Sequence, residues 1–117
     1  MSEKRSSPIH DGPFRQEARL NAPYHPMAPA LEVSEWLHAP ADTSLETLRG
    51  RVIVLHAFQM LCPACVSHAL PQARAVAAAF SPEEVQVVGL HSVFEHHEAM
   101  GPAALRAFAH EYRLGFP

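Results

Sequence analysis

The chain has 117 residues, 48% of them hydrophobic and 18% charged, with 11 Pro, 9 His, 2 Cys and a single Trp. That length holds one compact domain, and the apolar fraction excludes wholesale disorder. Two cysteines cannot build a disulfide-rich scaffold, and no apolar run approaches the roughly 20 residues of a membrane span. The net charge of −3 gives no general electrostatic reason to bind nucleic acid.

Residues 1–30 read as a Pro-rich N-terminal extension. Pro8, Pro13, Pro23, Pro26 and Pro29 recur too often for helix or sheet. Lys4, Arg5, Arg15 and Arg19 nearly balance Glu3, Asp11 and Glu17. A secretory leader needs an apolar stretch after a basic start, and a mitochondrial one avoids acids. Neither pattern is present, so a cytoplasmic address is expected.

The domain is expected over residues 31–117. Glu32 to Leu37 alternates polar with apolar, which predicts a short edge strand. Thr43 to Leu48 predicts one helical turn, with Thr43 and Glu46 as its capping box and Gly50 as its stop. Arg51 to Phe58 has a continuously apolar, β-branched core, as in a central strand buried on both faces. A helix follows from the cysteines to Phe80. Val66, Leu70, Ala73, Val76 or Ala77, and Phe80 share its inner face, and Pro71 should kink it. Val85 to Leu90 is a second buried strand. Gly101-Pro102 opens a last helix with Leu105, Phe108 and Tyr112 inward and Gly115 as its cap. Strand, helix, strand, helix is a βαβ crossover with one further helix, an α/β fold.

Cys62-Pro63-Ala64-Cys65 opens the first helix directly after the strongest strand. Free N–H groups and the helix dipole favour a thiolate at such a position. Thiol pKa values in such motifs drop from about 8.5 to roughly 3.5–7.5. Pro63 suits a first helical position. The expected cycle is attack by Cys62 on a disulfide, then release of the mixed disulfide by Cys65. Two other readings stand beside it: ordinary buried cysteines, or half of a zinc site.

Leu48-Arg-Gly-Arg-Val-Ile-Val-Leu-His-Ala-Phe-Gln-Met-Leu-Cys-Pro-Ala-Cys65 resembles the active-site segment of thioredoxin-like proteins. The similarity is to the redoxin branch, which includes TlpA-type oxidoreductases and AhpC/TSA peroxiredoxins. It continues through Val85 to His91 and His110 to Pro117. The resemblance implies a thioredoxin-like α/β domain with a mostly parallel sheet and flanking helices. It implies a thiol–disulfide oxidoreductase with Cys62 attacking and Cys65 resolving. It implies dithiol or disulfide protein partners and no organic cofactor; no metal, nucleic-acid partner or membrane partner is expected. His56 lies six residues before Cys62, where thioredoxins carry a proton-shuttling Asp. It is read either as that proton carrier or as a core histidine.

The chain also departs from the pattern. The Trp that commonly flanks the first cysteine is Leu61 here. Pro71 comes nine residues after Cys62 instead of eight, which predicts a one-residue bulge in the helix. Gln59 and Leu55 stand where peroxiredoxins carry Thr and Pro, which argues against the alternative of a thiol peroxidase. A cis-Pro loop, two antiparallel strands and a last helix would follow Pro117 in this family. The expectation is therefore a domain cut after two-thirds, or one completed by pairing as a homodimer.

His91, His96 and His97, with Glu95 and Glu98, cluster after the second strand. With the cysteines they suggest a further alternative, a non-catalytic metal-binding module distantly similar to Sco-type copper proteins. The cysteine spacing is one residue short for that, and zinc prefers paired ligand sets. A solvated loop is the favoured reading. His68 is expected on the helix surface.

Overall fold

The computed structural model describes residues 26–117. The expectation for residues 1–30 therefore lies mostly outside the described residues; residues 26–30 are exposed and irregular.

Strand β1 spans Val52–Phe58 and strand β2 spans Val85–His91. They pair in parallel, with Val52 opposite Val85 and Phe58 opposite His91. A parallel pair requires a crossover. The helical segment that supplies it ends in α1, Leu70–Ala79. Helix α2, Pro102–Glu111, follows β2 after a short 3-10 turn at His97–Ala99. Pro102 takes the first turn behind Gly101, as the sequence predicts.

The register places Val54, His56 and Phe58 of β1 on one face with Val87, Gly89 and His91 of β2. The core gathers Leu70 and Ala73 of α1, Val87 of β2, Ala109 of α2, and Leu114 and Phe116 beyond it. Val54, Val76, Ala77, Phe108 and Leu37 pack against that cluster. Gly89 has a packing reason: a Cβ there would lie 3.2 Å from the Phe116 ring and 3.3 Å from the Phe58 ring. Its N–H also donates to the Pro117 carbonyl at 2.8 Å, drawing the last residues along β2.

Just ahead of Pro71 the helix widens. Cys65–Ala69 forms one π-helical turn, in which the Leu70 N–H donates to the Cys65 carbonyl five residues back. The extra residue moves the carbonyls out of the position where the proline ring would collide with one. The bulge predicted from the proline spacing is thus present.

Five local expectations are corrected. Residues 32–37 form no strand. Their apolar side chains lean on the domain without a ladder partner, and Glu35 is held to α2 by Arg106 at 2.8 Å. The reciprocal cap sits one residue later than predicted. Ser44 N–H donates to Thr47 Oγ1 and Thr47 N–H to Ser44 Oγ, while Thr43 Oγ1 donates to the Pro40 carbonyl. Gly50 ends that turn at φ 89°, as expected. β1 is not buried on both faces: Val52 is 61% and Leu55 45% exposed, because no third strand or helix covers them among the described residues. Phe80 has left the helix in extended conformation and is half exposed, and Tyr112 stacks on Phe108 at 4.3 Å but stays 42% exposed.

The fifth correction concerns the end of α2, where Arg113, not Gly115, forms the cap. Its φ is 50°, with Leu114 N–H bonding to Ala109 O and Arg113 N–H to His110 O. This is a Schellman arrangement whose left-handed position carries a side chain. Arg113→Gly should therefore raise stability by about 0.5–1 kcal/mol in chemical denaturation. An unchanged or lowered midpoint would contradict it.

Candidate functional site

β1 delivers the chain to Gln59 at the carboxyl end of the sheet, where a tight turn reverses it. Cys62 N–H donates to the Gln59 carbonyl at 3.1 Å. Helical residues then begin at Pro63, and the Cys62 carbonyl accepts its first bond from Val66 N–H at 3.1 Å. Cys62 thus occupies the N-cap position. Its Sγ accepts the Cys65 N–H at 3.4 Å. Both cysteines are free thiols and both are half-buried.

Their environments separate them. Cys62 is held below the ordinary thiol pKa, first by the side-chain hydrogen bond from Cys65, then by backbone N–H groups of Cys65 and Ala64. Slight burial and the negative charge of Glu95 act in the opposite direction. Cys65 is pushed up, chiefly because it keeps the proton in that same sulfur–sulfur bond. One thiol is thereby ready to ionise and its neighbour is not.

Two residues pin the turn. Gln59 is fully buried. Its Oε1 accepts N–H bonds from Phe94 at 3.0 Å and Glu95 at 3.3 Å, and its Nε2 donates to Glu95 Oε1 at 3.3 Å. His91 Nε2 accepts the Met60 N–H at 3.3 Å, which requires that nitrogen to be unprotonated. Burial pushes the His91 pKa down and supports the neutral form. The holding role of Gln59 was not foreseen from sequence. The available signal was a polar side chain ending an apolar strand, a position where burial demands partners.

His56 lies on β1 with its ring stacked 5.4 Å from that of Phe58. Its Nε2 is buried and without a hydrogen-bond partner, and burial lowers its pKa. The other histidines do not join the cysteines. His96 is exposed in left-handed conformation, His97 begins the 3-10 turn, and Glu98 is exposed. His68 is exposed on the helix, with Nδ1 2.7 Å from Ser67 Oγ, as expected. Among the described residues, no three His, Cys, Asp or Glu side chains converge so as to hold a metal ion. A hollow of about 510 Å³, lined by Trp36, Leu37, Leu90, Met100 and Leu105 among others, touches neither cysteine.

The chain is similar in fold to solved structures. One, described as a thioredoxin-like superfamily protein, is 56% identical, with a TM-score of 0.74 over 76% of this chain. A thiol-disulfide isomerase from Corynebacterium glutamicum is 47% identical, with a TM-score of 0.67 over 77% of this chain. The chain belongs to the thioredoxin-like superfamily. The parallel pair joined by the cysteine-bearing helix is the thioredoxin-like α/β fold expected from the sequence. The thioredoxin-like chain spans 58% and 59% of the lengths of these two proteins. No family model and no curated protein matches it.

Proposed function

We propose that this thioredoxin-like chain is a thiol–disulfide oxidoreductase acting on disulfide-bearing protein partners. The observation that carries the reading is the asymmetry of the Cys62–Cys65 pair at the helix N-terminus. The likeness to a thiol-disulfide isomerase supports it.

The Cys62 thiolate attacks one sulfur of a substrate disulfide. The S–S bond breaks, one thiolate leaves, and a mixed disulfide forms on Cys62. Cys65 then gives up its proton and attacks Cys62 Sγ, releasing the second substrate thiol and closing an intramolecular disulfide. Two electrons pass from the dithiol to the substrate, and a second dithiol protein restores the reduced pair. Pro63 fixes the first helical turn, so the N–H groups of Ala64 and Cys65 are already aimed at Sγ. We assign His56 the proton transfer to and from Cys65, since it stands six residues before Cys62 and its buried Nε2 is engaged by no other group among the described residues.

Gln59 speaks against peroxide chemistry at Cys62. Its side chain is fully buried and committed to Phe94 and Glu95, so its amide is not presented to a peroxide at the thiolate.

Insulin reduction in the presence of a dithiol donor tests this function. His56→Asn should leave the fold intact and lower the rate near neutral pH by about tenfold, with the loss shrinking as hydroxide takes over at higher pH. An unchanged pH–rate profile would remove His56 from the mechanism and leave it a core residue.

A further inference from the structure

The carboxylate of Glu95 is positioned with care unusual for an exposed side chain. It follows β2 on the loop that faces the Cys62 turn. Three contacts from one fully buried residue, Gln59, hold the Phe94 and Glu95 backbone and reach the Glu95 carboxylate itself. The same Gln59 accepts the Cys62 N–H through its main chain. The thiol and the carboxylate are therefore both anchored to one residue.

We propose that Gln59 is a positioning residue that fixes the Glu95 carboxylate beside Cys62 as a specificity determinant, so that the site prefers disulfides flanked by cationic groups over anionic ones. This inference rests on the exchange chemistry proposed above and adds a substrate class to it. The negative charge of Glu95 is felt at Cys62. An approaching disulfide must bring its flanking groups into the same field. A cationic neighbour is attracted and an anionic one repelled, and in water one unit charge a few ångströms away changes a rate by about fivefold. The neighbouring charged groups are His96, His97 and Glu98, all exposed.

The test uses the full reduced chain and three small disulfides of similar skeleton: cystamine, a dication; bis(2-hydroxyethyl) disulfide, neutral; and 3,3′-dithiodipropionate, a dianion. Initial rates are measured at about pH 8 and low salt, where screening is weak. They are divided by the rates of free dithiothreitol with the same compounds. The expected cation-to-anion ratio is about tenfold or more. Glu95→Gln should reduce it about fivefold or more and Glu95→Lys should invert it. Glu83→Gln, which removes the same charge at the opposite end of β2, should leave it unchanged. A structural role for Gln59 alone would lower all three rates together, whereas Gln59→Met should lower the ratio as Glu95→Gln does.

A wild-type ratio equal to that of dithiothreitol, or one untouched by Glu95→Gln, overturns the proposal. A folded Gln59→Met chain that keeps the wild-type ratio overturns the positioning role. If Gln59→Met does not fold, the exposed Glu95 variants still decide the specificity. A wild-type chain that reduces none of the three compounds overturns the exchange reading itself.

Discussion

Cys62→Ser should reduce disulfide reductase activity by on the order of 10³-fold or more, because a hydroxyl at this position neither ionises near neutral pH nor forms a mixed disulfide. Cys65→Ser should fail differently. Cys62 still attacks, but nothing resolves the product, so a stable mixed disulfide with the substrate should accumulate and be visible as an adduct by mass spectrometry. The two thiols are also coupled electrostatically. The largest influence lowering the Cys62 pKa is the side-chain bond from Cys65, followed by backbone N–H bonds that any residue at position 65 or 64 can supply. Cys65→Ala removes only the side-chain part, so the Cys62 thiolate should appear at higher pH, followed by its ultraviolet absorbance. Cys65→Ser keeps a hydroxyl donor and should move the titration less. A Cys62→Ser chain with undiminished activity would end the proposal. So would a wild-type Cys62 titrating at the ordinary thiol value.

What could be read from the sequence, and what could not, follows the range of the interactions. β1 and β2 were legible because β-branched apolar runs between breakers carry their signal locally. Pro63 and Pro102 marked helix starts, since a missing N–H is tolerated only there. The π-helical turn was legible too, because one residue of extra spacing before Pro71 has few other solutions. Residues 32–37 failed because alternation makes a strand only where a ladder partner lies alongside. The cap moved from Thr43 to Ser44 because the Pro40 carbonyl claimed the first hydroxyl, a contest that pattern alone does not resolve. At the site, Cys62 and Cys65 lie one turn apart and could be found together. The Gln59 bonds to Phe94 and Glu95 span 35 and 36 residues. They depend on the parallel register bringing two loops to one end of the sheet, and nothing in either loop announces the other. His91 illustrates the same limit. Its place among the histidines after the second strand favoured a solvated loop, whereas it ends β2 itself and accepts the Met60 N–H.

The largest effect on stability should come from Leu70→Ala. Leu70 is 2% exposed and lies in the apolar cluster that joins α1 to β2 and α2. Truncating a buried leucine costs about 2–5 kcal/mol, the transfer energy of the lost atoms plus the cavity they leave. Domains of this size have a total stability of roughly 5–15 kcal/mol, so the loss is a large fraction of the whole. Leu70 also makes the π-type bond from its N–H to the Cys65 carbonyl, which ties the cluster to the turn carrying the thiols. A collapse of the core toward the vacated space would pull on that turn, so the variant should lose thiol asymmetry before it unfolds. Urea denaturation followed by circular dichroism should place its midpoint far below wild type, and the Cys62 titration in the absence of urea should already drift toward the ordinary thiol value. Leu61→Ala is the comparison. Leu61 is 53% exposed beside Cys62, so its removal should shift stability by no more than about 0.5 kcal/mol. Equal destabilisation by the two substitutions would mean that the cluster around Leu70 is not what holds the site.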